Sequence, residues 1–242
     1  MKVKNHIPNL ITLLNLFCGC IALVFVFNGN HVLAFTFVCL GIFLDFFDGF
    51  FARLFNVSSP LGLQLDSLAD MVTSGVVPGA VMFFMLKNAV HLQNFELDNV
   101  DFLFCLLGFA ITLGACYRLA NFNIDERQTD SFIGLPTPAN ALFILSLPLV
   151  LNESVIAIEL FTNKWILIFI VILSTYIMNA EIPLFALKIK NFSFKKYSLQ
   201  ISFLLLSIIL LLLLQIVAVP LIIVLYVFIS ILKTIFFKKV VQ

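Results

Sequence analysis

The sequence has few charged residues. Asp, Glu, Lys and Arg make up 11% of its 242 residues, while 62% are hydrophobic and the mean hydropathy is +1.13. Soluble domains carry about 25% charged residues, so this composition excludes a soluble globular protein. The net charge of +1 is uninformative about partners, and no nucleic-acid partner is expected.

Cysteine and histidine are scarce as well. The five cysteines all lie in apolar runs, where an odd number indicates free thiols that pack as small apolar side chains. Cys18 and Cys20 are too close together and too isolated to form a zinc site. The three histidines share no ligand spacing, so we assign no metal to either residue type.

Long apolar runs fill most of the chain. About 20 apolar residues cross the hydrocarbon core of a bilayer, and eight such spans are predicted. They cover approximately residues 8–28, 33–54, 66–87, 100–121, 137–152, 164–186, 198–215 and 218–237. The fifth is short and the last two are barely separated, so seven spans are the alternative. The expected fold is an all-α integral membrane bundle that forms one domain over residues 1–242.

The positions of Lys and Arg predict how these spans are oriented. Lys87 and Lys164 fall on one side of the membrane, and the other twelve of the 14 basic residues fall on the opposite side. Because basic residues concentrate in cytoplasmic loops, both termini are predicted to be cytoplasmic. The same side receives the acidic stretch described next and the basic loop 188–196, which suits contact with anionic lipids.

Four aspartates interrupt the apolar sequence between residues 45 and 70. Asp45 and Asp48 end the second predicted span, and Asp66 and Asp70 begin the third. The spacings of three and four residues put each pair on one helix face, and a short turn allows the two faces to converge. A carboxylate within a membrane costs roughly 2.5–3.5 kcal/mol, so four indicate a function. Clustered carboxylates select hard ions such as Mg²⁺, Mn²⁺ or Ca²⁺.

Small, basic and capping residues accompany the aspartates. Gly49 and Ala52 allow a nucleotide or phosphate to approach the helix backbone closely, and Arg53 offers a guanidinium for a phosphate oxygen. Ser59 is a capping residue before the third span, and Gly62 opens that span. We predict that these residues bind a phosphorylated ligand; the alternative is helix packing, with Arg53 as an interfacial anchor.

Two other polar stretches fall on the predicted cytoplasmic side. Asn9 and Thr12, three residues apart, can present polar groups to a base or ribose from one helix face. Arg118, at the inner end of the fourth span, is the predicted partner for a substrate carboxylate, assisted by Asn121 and Asn123. The alternative for both stretches is ordinary interfacial polarity.

The acidic stretch resembles the signature of the CDP-alcohol phosphatidyltransferase family. Residues 45–70 match it at every fixed position: Asp-x-x-Asp-Gly-x-x-Ala-Arg, eight residues, then Gly-x-x-x-Asp-x-x-x-Asp. The resemblance implies transfer of the phosphatidyl group of a CDP-linked lipid to an alcohol, with release of CMP. It implies that Asp45, Asp48 and Asp66 ligate two divalent ions, Mg²⁺ or Mn²⁺ with Ca²⁺ as a structural substitute, and that Asp70 is the general base and a further ligand.

Residues 7–145, the predicted catalytic part, resemble the membrane-embedded phosphatidylserine synthase branch of that family. The run R-L-x-x-F-N at 118–123 is followed by G-L-P-x-P at 134–138. Asn121 departs from the pattern, because members often carry Lys or Arg there. The resemblance implies CDP-diacylglycerol and L-serine as substrates, a homodimer, and a place in the inner cell membrane. Residues 150–242 contribute only additional spans.

Two alternatives remain at this stage. The same chemistry on glycerol 3-phosphate or an inositol phosphate calls for more basic residues than Arg53, Arg118 and Arg127. A divalent-cation transporter would distribute its acids across the depth of the bilayer, whereas these four gather at one side.

Overall fold

The chain folds into a bundle of helices. The structure, a computed structural model, describes residues 6–57, 59–96, 98–125, 132–151, 153, 155–185 and 198–238. The helices and two short strands are α1 (Ile7–Phe27), α2 (His31–Leu54), α3 (Pro60–Asp70), α4 (Val77–Ala89), α5 (Val100–Leu106), α6 (Ala110–Ile124), β1 (Phe132–Ile133), α7 (Thr137–Val150), α8 (Val155–Phe161), α9 (Lys164–Asn179), β2 (Pro183–Leu184), α10 (Ser198–Leu214) and α11 (Ala218–Lys238). The predicted basic loop 188–196 and Arg127 lie outside the described residues.

Short irregular helical segments join several of these helices. A π-helical segment, Met71–Val76, joins α3 to α4, and a 3₁₀ turn, Leu107–Phe109, joins α5 to α6. The two resulting stretches, 60–89 and 100–124, are the third and fourth predicted spans. The third begins earlier than predicted because Ser59 caps it and Pro60 fits its first turn.

The length and composition of the described helices are those of an all-α, multi-pass membrane protein. Among the described residues, five helical stretches are long and apolar enough to cross a membrane, or six if the bent pair α8 and α9 forms one span. The stretch 198–235, which contains both α10 and α11, counts as one of these five. Each of the eight predicted spans overlaps a helix, although α7 has only 14 residues. Helix α9 ends before the predicted residue 186, because the backbone becomes extended at Ala180 and leads into β2. The number of helices that cross the membrane stays a prediction.

Helices α10 and α11 form an antiparallel hairpin. The ring centroids of Phe203 and Tyr226 are 5.7 Å apart, whereas one continuous helix would separate them by more than about 30 Å at 1.5 Å per residue. The chain reverses at a 3₁₀ turn that begins at Gln215, whose φ of 48° is left-handed. The last two predicted spans are therefore separate helices and not one kinked helix.

The strands β1 and β2 form a two-residue antiparallel pair beside the ends of α6 and α9. Gly134 follows β1 with φ 73°, and a Cβ at this position would collide with the carbonyl oxygen of Met178. Only glycine accepts both constraints. The G-L-P-x-P run therefore shapes the turn into α7.

The burial of apolar side chains differs sharply between helices. Val77, Met82 and Leu86 of α4 are completely buried, because α4 packs against α1, α6, α7 and α9. By contrast, α10 buries only Phe203 among its described side chains, and Leu212 is 78% exposed. Exposed apolar residues of this kind are suited to contact with lipid.

Lys87 and Lys164 lie close together in the bundle. Lys164 Nζ lies 3.3 Å from Asp101 Oδ1, and Lys87 Nζ lies 4.9 Å from the centroid of the Phe95 ring, which contacts Phe102 beside Asp101. The two lysines predicted to share one side therefore lie at the same end. The helical stretch 60–89 begins at the turn between α2 and α3 and reaches Lys87 near its other end. This turn therefore lies at the opposite end of the bundle, which we call the aspartate end.

Candidate active site

Three of the four aspartates converge where α2 and α3 meet. One carboxylate oxygen from each of Asp45, Asp48 and Asp66 lies within 4.8 Å of the others. Asp45 and Asp48 are one turn apart on α2, and the short turn after α2 brings Asp66 of α3 against them. Within the described residues, this is the one cluster of three or more side chains able to hold a metal.

The cluster fits a divalent cation. Asp45 Oδ1 is buried and has no hydrogen-bond partner among the described residues. A buried carboxylate oxygen without a partner is unfavourable, and three carboxylates this close repel one another. A hard cation satisfies both the oxygen and the charge, and an all-oxygen set of ligands is the kind that Mg²⁺, Mn²⁺ and Ca²⁺ prefer.

Thr12 of α1 supports this cluster. Its buried Oγ1 lies 2.5 Å from Asp48 Oδ2 and 3.1 Å from the carbonyl oxygen of Pro8, so the hydroxyl can donate to either. A donor on one carboxylate oxygen restricts the rotation of the carboxylate and leaves its other oxygen for a ligand. The predicted ligand-binding residue Thr12 therefore contacts Asp48 directly.

Asp70 lies outside the cluster of three and has its own partner. It is buried at the end of α3, and its Oδ1 accepts a hydrogen bond of 3.2 Å from Asn15 Nδ2 of α1. The π-helical segment begins at the next residue, and the N–H of Val77 bonds to the carbonyl of Val72, five residues earlier. Single π-helical turns inside α-helices are frequent at functional sites.

A cavity of about 510 Å³ opens beside the cluster at the aspartate end. Asp48 and Asp66 line it, together with all seven residues predicted to bind the phosphorylated ligand: Asn9, Thr12, Gly49, Ala52, Arg53, Ser59 and Gly62. The Ser59 hydroxyl accepts a hydrogen bond of 3.0 Å from the Gly62 N–H, which caps α3. The structure thus brings these predicted residues together around one space.

The two glycines of the signature differ in their surroundings. A Cβ at Gly49 would meet only the tip of Arg53, at 3.5 Å, so this part of α2 leaves space for a ligand. A Cβ at Gly62 would lie 3.2 Å from Ser59 Oγ and 3.3 Å from Asn9 Oδ1, which is tighter than ordinary contacts. Gly49 therefore shapes the cavity, and Gly62 allows α1 to approach α3.

The three predicted acceptor-binding residues lie in two places. Arg118 and Asn121 line a second cavity of about 330 Å³, which also contains Asp125 and Glu181. Buried Arg118 donates from Nη1 to the carbonyl oxygens of Ile133 and Met178, both at 2.8 Å.

Asn123 lies instead against α3. Its Nδ2 donates to Ser67 Oγ at 2.8 Å, beside the cluster residue Asp66. This hydrogen bond connects the end of α6, which carries the second cavity, with the helix that carries two of the aspartates.

Asn15 and Thr73 are functional candidates that the sequence interpretation missed. Both are completely buried, and Thr73 Oγ1 lies 2.9 Å from Asn15 Oδ1. A signal was present, because Asn15 lies one turn after Thr12 on the same face of an otherwise apolar helix. Buried polar residues within a membrane span mark functional positions by default.

The chain is similar in sequence to several known enzymes. The chain is 36% identical over 154 residues to the CDP-diacylglycerol–serine O-phosphatidyltransferase of Bacillus subtilis, covering 64% of this chain and 81% of that protein. It is 32% identical over 206 residues to the enzyme of that name from Helicobacter pylori strain 26695, covering 82% and 78%. The Saccharomyces cerevisiae enzyme of the same name is 36% identical over 173 residues, which cover 64% of this chain and 58% of the yeast protein.

A family model matches most of the chain. Residues 5–177 match the model described as CDP-alcohol phosphatidyltransferase. The match covers α1 to α8 and most of α9, and it includes all four aspartates, whereas the hairpin of α10 and α11 lies beyond it. The resemblance found in the sequence is confirmed, and the chain belongs to the CDP-alcohol phosphatidyltransferase family.

Proposed function

We propose that the protein transfers the phosphatidyl group of CDP-diacylglycerol to the hydroxyl of L-serine and releases CMP. The observation that carries this proposal is the cluster of Asp45, Asp48 and Asp66 at the edge of the 510 Å³ cavity. The names of the similar bacterial and yeast enzymes support serine as the acceptor.

Each carboxylate has a proposed role in the reaction. Asp45, Asp48 and Asp66 hold two divalent ions, Mg²⁺ or Mn²⁺, and Asp70 is a further ligand. When bound, such ions neutralise the pyrophosphate and stabilise the departing CMP phosphate. Asp70 accepts the proton of the serine hydroxyl as its oxygen attacks the phosphatidyl phosphorus, and the bond from that phosphorus to the CMP oxygen breaks.

The first cavity is the proposed site of the CDP part of the lipid. Arg53 contributes a positive charge for a phosphate oxygen, and the small residues Gly49 and Ala52 allow the nucleotide to lie against α2. Asn9 and Ser59 contribute polar groups at the rim of the cavity. Thr12 contributes indirectly, because its hydroxyl contacts the Asp48 carboxylate and holds that carboxylate in place.

The second cavity is the proposed site of the acceptor. Serine carries a carboxylate and an ammonium group, and the cavity combines Arg118 with the carboxylates of Asp125 and Glu181. The carbonyl oxygens of Ile133 and Met178 hold Nη1 of Arg118 in place. The N–H groups of Nη2 and Nε are the ones that we propose for the serine carboxylate.

An anionic acceptor is less well supported. Glycerol 3-phosphate or an inositol phosphate requires several cations in the site. Among the described residues, Arg53 is the one cation that lines the first cavity, and Arg118 is the one that lines the second. A cation transporter is not supported either, because the clustered acids lie at one end of the bundle.

The membrane arrangement is part of the proposal. We propose that eight helices cross the inner cell membrane, that both termini are cytoplasmic, and that the aspartate end faces the cytoplasm, where serine is available. Residues 7–145 form the catalytic part and residues 150–242 supply additional helices. The family resemblance further supports a homodimer.

The decisive experiment measures CMP release by the purified protein in detergent with CDP-diacylglycerol and Mg²⁺ or Mn²⁺. We expect release only when L-serine is added, and none after chelation of the metal. Release with glycerol 3-phosphate but not with serine would overturn the choice of acceptor. The variant Arg118→Gln should raise the KM for serine about tenfold or more, since a charge-assisted hydrogen bond contributes about 1.5–3 kcal/mol, while the KM for CDP-diacylglycerol stays unchanged.

A further inference from the structure

The side chain of Asn15 connects Asp70 to the π-helical segment. Asn15 Nδ2 donates to Asp70 Oδ1 at 3.2 Å, and Asn15 Oδ1 lies 2.9 Å from Thr73 Oγ1. Thr73 Oγ1 also lies 2.7 Å from the carbonyl oxygen of Ala69, so the hydroxyl can donate to either oxygen. The buried amide therefore donates to α3 at one end, and at the other end its oxygen is within hydrogen-bond distance of a hydroxyl in the segment that follows.

This arrangement fixes the orientation of the amide. If the amide were reversed, its oxygen would face the carboxylate of Asp70, and two acceptors would repel each other. The carboxylate therefore selects the orientation in which Asn15 donates to it. With Oδ1 held in this way, rotation of the Asp70 carboxylate is restricted and its other oxygen keeps a constant direction.

Close packing from two helices holds the same side chains. A Cβ at Gly41 of α2 would lie 2.7 Å from Thr73 Cγ2 and 2.8 Å from Asn15 Oδ1. A Cβ at Gly19 of α1 would lie 3.2 Å from Thr73 Cγ2. Glycine at both positions therefore lets α1 and α2 pack closely against this pair of side chains.

We propose that Asn15 and Thr73 are positioning residues that hold the Asp70 carboxylate in the direction needed to accept the proton of the acceptor hydroxyl. This proposal rests on the role of Asp70 as the base. Proton transfer requires a base within hydrogen-bond reach in the right direction. A displacement of about 1 Å in a catalytic group can lower the rate on the order of 100-fold.

Two substitutions of Thr73 separate positioning from simple packing. Thr73→Val keeps the shape and the methyl group that packs against Gly19 and Gly41 but removes the hydroxyl. Thr73→Ser keeps the hydroxyl and removes the methyl. We expect Thr73→Val to lower kcat about 10–100-fold with unchanged KM values, while Thr73→Ser retains most of kcat despite a lower melting temperature.

The ratio of the two kcat values decides the proposal. A Thr73→Val enzyme at least about tenfold slower than Thr73→Ser supports positioning, and a smaller ratio overturns it. Asn15→Leu should show the same loss of kcat, whereas Cys18→Ala, one turn further along α1, should keep kcat.

The variant Asp70→Asn separates this proposal from the proposed base role. Full turnover by Asp70→Asn would remove both the base role and the positioning role. An inactive Asp70→Asn together with a small ratio between the two Thr73 variants would overturn the positioning role alone.

Discussion

The buried polar side chains of α1–α3 and the serines of the C-terminal hairpin make different kinds of hydrogen bond, although Tyr226 of the hairpin does bond outside its own helix, to the carbonyl oxygen of Phe185. In α1–α3, buried polar side chains bond across helices, as Thr12 does to Asp48 and Asn15 does to Asp70. These bonds hold carboxylates that would otherwise repel one another at the aspartate end.

Serines in the hairpin bond within their own helix. The hydroxyls of Ser202, Ser207 and Ser230 each donate to the carbonyl oxygen of the residue four positions earlier. Such bonds satisfy a hydroxyl in an apolar environment without constraining the position of any other helix. The contrast teaches that the number of polar residues in a span is a weaker guide to function than where their hydrogen bonds go.

The largest expected effect tests the aspartate end. Asp70→Asn should lower turnover by about 10²–10⁴-fold, the usual contribution of a general base, while the variant still binds CDP-diacylglycerol. CMP release and lipid binding are measured on the same preparation. Asp101→Asn, which changes an aspartate paired with Lys164 at the other end, is the matched control and should keep full activity. Full activity of Asp70→Asn would remove Asp70 from the base role.

A smaller effect is expected from the hydrogen bond between Thr12 and Asp48. Thr12→Val removes the donor, so the metal concentration for half-maximal activity should rise about 10–100-fold. Thr12→Ser keeps the hydroxyl and should behave like the unchanged protein. The measurement is a titration of Mg²⁺ or Mn²⁺ against CMP release. Equal metal dependence of the Val and Ser variants would show that this bond does not support the metal site.

The smallest effect is expected in the hairpin. Ser207→Ala removes a bond within α10 only, so activity should be unchanged and stability should change by less than about 0.5 kcal/mol. Activity and melting temperature are compared with those of Thr12→Val. A loss of activity at limiting metal as large as that of Thr12→Val would contradict the contrast between the two regions.

The aspartate cluster could be predicted from sequence because local rules determine it. Spacings of three and four residues place each pair on one helix face, and the short turn after α2 leaves few ways to join the helices. The turn at Gly134 could be predicted for a similar reason, since a left-handed residue followed by prolines has few alternatives.

Other parts of the site depend on contacts that spacing does not encode. The bond between Asn15 and Thr73 requires the π-helical segment, which changes the direction of side chains after Asp70. The anchoring of Arg118 requires β1 and the end of α9, which are distant in the chain. Likewise, the reversal at Gln215 is a backbone conformation that apolar composition does not reveal.

The π-helical segment Met71–Val76 changes the direction in which side chains point between α3 and α4, which form one continuous helical stretch. Before the segment, α3 places Asp66 beside the aspartates of α2 and Asp70 beside Asn15 of α1. After the segment, α4 places Val77 and Met82 in the core. An α-helix turns about 100° per residue, so the angle between these two surfaces depends on the residue count of the segment. The chain can therefore combine a carboxylate surface and an apolar surface on one continuous stretch, each aligned independently with its own neighbours.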